Sequence, residues 1–202
     1  MVNPLFLRFG SLAAVPLGFH DQRLFRRVLS VAPLSNPLND FNSALTAHSV
    51  RCFHLSRFYC FSREIQLACL FHNVYGTNFL DNSKIDNFIS PSRSNRDWLV
   101  FCIGLEAENI IYRYSTLQVD DLSALCPDSR LALTLLVVFV NTIEIASSAY
   151  SLSSPQRQDK IAFYVPILKS IVCQVRGMVS CGTLSQMTFD VDTLCSLASP
   201  HH

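Results

Sequence analysis

The stretch LALTLLVVFVNTIEIASSAYSLSSPQRQDKIAFYVPILKSIVC, residues 131–173, decides how the chain is read. Its first ten residues carry no charge, a Ser-rich segment with Pro155 and Gln156 follows, and an apolar run then resumes. A membrane-spanning helix needs ~20 apolar residues. Asn141 and Glu144 interrupt the run ten and thirteen residues after Leu131, so the stretch predicts a helix over 129–150 rather than an anchor. Pro127-Asp128-Ser129 supplies its start, because short side-chain oxygens accept from the free N–H groups of a first helical turn. SSPQRQDK reads as a connector and IAFYVPILKSIVCQV as a second helix, which Pro166 would kink if it sat deep inside. The two helices fold back on each other, with Phe139, Ile143, Ile167 and Ile171 as expected core contacts.

Working outward, QRLFRRVLSV (22–31) places Leu24, Phe25, Val28 and Leu29 on one helical face and Arg23, Arg26 and Arg27 opposite. Residues 32–40, with two prolines and several Asn, Asp and Ser, read as a turn region. In the second half of 50–73, Leu67, Leu70 and Phe71 face inward on a helix, with Arg63 and Glu64 outward. Residues 76–97, rich in Asn, Asp and Ser, read as an exposed loop. WLVFCIGLE and IIYRYSTLQV, separated by AEN, are two β-prone runs and predict a β-hairpin over 98–117, with Tyr112 and Tyr114 on the face opposite Arg113. Residues 177–202 hold no long periodic segment and are expected to be an irregular tail. The expected class is therefore α+β, mainly α: N-terminal helices, a central β-hairpin and a C-terminal antiparallel helical pair over 129–176, in one domain of 202 residues.

Half of the residues are hydrophobic, 15% are charged, and the formal net charge is +1, which argues against a sequence-independent nucleic-acid binder. Eight cysteines occur without a secretory signal, so the thiols read as small buried hydrophobes of a reducing compartment. From Met1 to Asn39 the only acid is Asp21, against four arginines, a composition shared with mitochondrial presequences although Pro4 and Pro16 interrupt it. Fifteen Phe and eight Cys beside six Gly suggest codons under a second constraint, as in an overlapping viral reading frame.

Cys52, His54, Cys60, Cys69 and His72 are the densest set of zinc-ligand types. Their spacing fits no finger pattern and no CxxC occurs, so they read as buried thiols and surface imidazoles, with no metal and no cofactor expected. GxSxG and phosphate-cradling glycine loops are absent, and no enzyme is expected. Trp98 reads as a core anchor or an exposed contact beside a polar loop.

FVNTIEIASSAYSLSSPQ (139–156) followed by YVPILKSIVC (164–173) resembles the C-terminal helical region of the P-zero silencing suppressors of poleroviruses. RLFRRVLSVAPLSN (23–36) is similar to that family's Arg-rich N-terminal helix, and DWLVFCIG (97–104) to its acidic-Trp run entering a hairpin. The resemblance implies an F-box-like adapter that docks the Skp-type adaptor of a host cullin ubiquitin ligase and directs host Argonaute to degradation in the cytoplasm, with nucleus and endomembrane as alternatives. The docking element it implies is Val15, Pro16, Leu17, Phe19 and Pro33, with Val15 in place of Leu and Phe19 in place of Leu or Ile. Leu67, Pro91 and Trp98 are further partner-binding candidates. The alternatives are an RNA-binding suppressor or movement protein using Arg23, Arg26, Arg27, Arg51 and Arg57, and a mitochondrially targeted protein.

Overall fold

The computed structural model describes residues 15–29, 44–76, 89, 91–117, 129–148 and 154–198. Among them every ordered element is an α-helix. In chain order these are α1 (Phe19–Leu29), α2 (Ala44–Phe58), α3 (Arg63–Phe71), α4 (Arg93–Ile103), α5 (Leu105–Thr116), α6 (Ser129–Ser148), α7 (Ser154–Gln174) and α8 (Cys181–Ala198).

α6 organises the packing. Ala132, Leu135 to Val140, Ile143 and Ala146 are all buried, as are Thr134, Asn141, Thr142, Glu144 and Ser147, so the helix is enclosed around nearly its whole circumference. Such a helix needs partners on every side, and α2, α3, α5, α7 and α8 surround it. No described helix is long and apolar enough to cross a membrane. The hydrophobicity of the opening stretch is that of a central core helix. Phe139 meets the ring of Tyr59 edge-on at 5.4 Å, and Tyr59 in turn donates to the buried Asp190 of α8 at 2.7 Å.

The expected hairpin over 98–117 is overturned, and with it the α+β class: this segment is α4 and α5, two helices meeting at a corner. Ile, Tyr, Phe and Val favour strands only where a pleated, half-buried surface is available. The burial here has a helical period. Leu99 and Ile103 point inward on α4, as do Ala107, Ile110, Ile111 and Tyr114 on α5, while Phe101 is 68% exposed. Gly104, at φ 93° and ψ 156°, ends one helix and starts the next, a backbone region essentially closed to other residues. Arg96 then locks the corner with a two-pronged bond to the buried Glu108, from Nε at 2.6 Å and a terminal nitrogen at 2.9 Å. The Tyr75 hydroxyl adds a third donor to Glu108 at 3.1 Å, and the Arg96 guanidinium lies 3.9 Å over the Tyr112 ring.

Two other expectations change. Residues 177–202 are not an irregular tail: α8 runs from Cys181 to Ala198, burying Met187, Val191 and Leu194 on one stripe. The connector 153–160 is largely the start of α7, because a proline in a first turn has its φ preset for the helix and lacks an N–H that would be unpaired there anyway. Pro166 lies deep in α7, on its solvent side, where water can serve the Ala162 carbonyl that loses its helical donor. The expected exposed loop 76–97 is corrected at its end, where residues 93–97 begin α4 and Ile89 is buried; its residues 77–88 and 90, the turn region 32–40 and the N-terminal residues 1–14 lie outside the described residues.

Candidate metal centre

His48 and Cys52 lie one turn apart on α2 and therefore share a face. His72 follows the last turn of α3, and Glu144 lies in the C-terminal part of α6. The pairings α2 with α3 and α2 with α6 bring these three elements onto one point. The Sγ of Cys52 and the ring nitrogens of His48 and His72 lie within 4.8 Å of one another.

The outer nitrogens of both rings are committed. His72 Nδ1 faces the Cys69 carbonyl at 2.7 Å, and since a carbonyl only accepts, that nitrogen carries the proton. His48 Nδ1 donates to Glu144 Oε2 at 2.5 Å. The two Nε2 atoms then face each other, 3.2 Å apart. A proton carried by one of them, or a metal ion between them, makes that approach favourable. The third donor favours a metal ion over a shared proton. Cys52 Sγ is 3.7 Å from His48 Nε2, and the edges of a zinc tetrahedron built from ordinary bond lengths are about 3.3 Å between nitrogens and about 3.6 Å between nitrogen and sulfur; the third separation, Cys52 to His72, is within 4.8 Å and has to shorten on binding. A backbone carbonyl on one histidine and a carboxylate on the other are the groups that orient metal-ligating imidazoles elsewhere.

The electrostatics suit the same role. Burial first, then the neighbouring His48, press His72 down to about 3, which keeps its ring neutral and able to ligate. Burial raises the Cys52 thiol, and Glu144 and Cys69 raise it further, so a metal ion is needed to draw out the thiolate. Burial pushes the Glu144 carboxyl up, but the hydrogen bond and charge of His48 and the Arg51 guanidinium outweigh it and hold the carboxylate below the usual range. Arg51 Nε donates to the second carboxylate oxygen. Asn141, one turn before Glu144, donates to the Tyr114 hydroxyl at 2.9 Å, closing the inner wall.

Of the five ligand-type residues singled out from sequence, the fold unites Cys52 and His72 and places the buried Cys69 thiol beside them. Their expected placement is corrected in part: His54 and His72 are buried rather than surface imidazoles, and Cys60 is an exposed thiol. His54 donates instead to the Val15 carbonyl at 2.9 Å, tying the segment before α1 to α2. Sequence reasoning missed His48, although the spacing His48-x-x-x-Cys52 was there to be seen; it missed Glu144 as a site residue and singled out Arg51 only as an RNA contact.

The candidate docking residues are scattered by comparison. Val15 is 44% and Phe19 83% exposed, Pro16 is exposed, and Leu17 packs partly against the core. Pro33 lies outside the described residues. Leu67 is buried in α3 and offers no surface to a partner. Pro91 lines a cleft of about 260 Å3 with Arg96 and Glu108. Trp98 is half-buried beneath Arg27, about 12 Å along α1 from Phe19 by the helical rise.

A family model described as a domain of unknown function, DUF6817, matches residues 35–118, less than half of the chain. That stretch contains α2 to α5 and hence His48, Cys52 and His72, while Asn141 and Glu144 lie beyond it. No curated protein and no solved structure matches the chain.

Proposed function

We propose that the chain is a metal-binding helical domain that holds a zinc-class divalent ion on His48, Cys52 and His72, with a coordination position left for an exogenous ligand. The reading is carried by the two Nε2 atoms facing each other at 3.2 Å, each with its opposite nitrogen already spoken for. A thiolate and two imidazoles suit zinc or cobalt better than magnesium or calcium, which seek oxygen. Three protein ligands with a free position are the arrangement of a Lewis-acid centre, which lowers the pKa of a bound water to about 7 and polarises a carbonyl or phosphoryl oxygen. In this chain Glu144 and the Cys69 carbonyl orient the imidazoles, and α6 excludes water from the inner side. Metal analysis of protein purified without chelators tests the reading: one equivalent of zinc is expected, and its loss in His72→Asn and Cys52→Ser. A wild-type protein that holds no metal and takes up no cobalt(II) overturns it.

A second reading keeps the adapter function implied by the P-zero resemblance. Two apolar side chains, Val15 and Phe19, stand in solvent around Pro16, as a docking element requires. Expression in leaves with a silenced reporter decides it, and silencing that stays intact with Argonaute at its normal level rejects it.

A further inference from the structure

Resting on the metal reading above, we infer that the open coordination position binds a small oxyanion, the carboxylate or phosphate group of a substrate or product, which enters past His48 and is held by Arg51. The inference comes from charge and exposure together. A divalent ion and Arg51 bring three positive charges, and the Cys52 thiolate and Glu144 carboxylate bring two negative ones, with both imidazoles neutral. One positive charge is left over in a largely buried place, where charges need partners.

Among the described residues, the converging donor atoms do not include the Cys69 thiol, and the carboxylate at the cluster has no oxygen to spare. Both oxygens of Glu144 are engaged, one by His48 and one by Arg51. Among the described residues, the Arg51 guanidinium and the Glu144 carboxylate are the oppositely charged pair that acts on the cluster. Hydroxide at rest, or the oxyanion of a ligand, supplies the balancing negative charge at the open position.

Exposure sets the direction of entry. Cys52, His72 and Glu144 are sealed against the core, whereas the side chains of His48 and Arg51 are 13% and 26% exposed. Only Nε of the Arg51 guanidinium is used on Glu144. The other N–H groups of this partly exposed guanidinium form the planar fork that suits carboxylate and phosphate oxygens. An oxyanion there can give one oxygen to the metal and another to Arg51.

Cobalt(II)-substituted full-length protein provides the test. A thiolate-to-cobalt absorption band reports the metal site, and the visible ligand-field bands report the open position. Titration with inorganic phosphate and with acetate, against chloride at equal ionic strength, is expected to change the ligand-field bands saturably while the thiolate band stays. Arg51→Gln is expected to keep cobalt and weaken the anion response at least about tenfold, with Arg51→Lys intermediate. A retained thiolate band with no anion response, or with equal responses in wild type and Arg51→Gln, overturns the inference and leaves the metal site standing. Absence of the thiolate band in the wild type overturns the metal reading itself.

Discussion

Glu144→Gln isolates the electrostatics of the cluster from its shape. The carboxylate is almost fully buried and accepts from His48 at 2.5 Å and from Arg51. Hydrogen bonds involving a charged group contribute about 1.5–3 kcal/mol each. An amide of the same outline keeps one acceptor oxygen but presents an NH2 group to the other donor, so one bond is lost and the other becomes a weaker, neutral-acceptor bond. Arg51 recovers part of this by turning to water, since it reaches the surface. The net expected loss for the metal-free protein is about 2–3 kcal/mol, which for a chain of this length corresponds to about 5–10 °C in Tm. The same change removes the group that orients His48, and loss of such a partner weakens metal binding about 10–100-fold. Melting curves followed by circular dichroism with and without EDTA, beside a cobalt titration, read both quantities. A Glu144→Gln protein that melts with the wild type and binds cobalt equally well refutes the assignment of Glu144 as the carboxylate that fixes His48.

Three further outcomes follow from backbone and titration behaviour. Gly104→Ala meets no atom within 4 Å of the added carbon, so its whole effect is the forced backbone at φ 93°; urea unfolding should show a loss of about 1–3 kcal/mol, and an unchanged midpoint would mean that α4 and α5 do not meet as described. Cys60, exposed and at φ 56°, occupies a conformation that glycine adopts without strain; Cys60→Gly should raise stability by about 0.5–1 kcal/mol, and a lower Tm contradicts this. In chelator-treated protein, stability should fall as pH drops below 6.5 toward 3, because burial depresses His72 to about 3 and lowers His54 as well, so the unfolded chain takes up protons that the folded chain refuses. His72→Gln should flatten that slope, and an equal slope in both proteins removes His72 as its source.

The chain discloses its helices more readily than its site. The period of Leu67, Leu70 and Phe71, and the polar interruptions Asn141 and Glu144, lead to the observed α3 and α6. The same reasoning stumbles at 98–117, where β-prone side chains mask the helical spacing of Ala107, Ile110, Ile111 and Tyr114 and the meaning of Gly104. It stumbles again at α8, whose buried stripe is narrow and set among Ser, Thr and Asp residues with weak helix preference. Half of the candidate centre is visible as ligand-type residues, Cys52 and His72. His48 needed attention to a one-turn spacing on α2. Glu144 could not be found locally, because its partnership with His48 joins positions 96 residues apart and exists only once α6 lies against α2.

The polar group set into α6 also fixes something that apolar packing leaves loose. A helix greasy on every side has many nearly equivalent ways to turn about its own axis inside a bundle. Each residue of slippage rotates the helix by about 100° and would carry Glu144 away from His48 and Arg51 into a wall of aliphatic side chains. Asn141 against Tyr114 and Glu144 against Arg51 thus act as an angular index for the core, selecting one orientation of α6 from many of similar hydrophobic quality. On that account the cluster helps to decide which core forms before any ligand arrives.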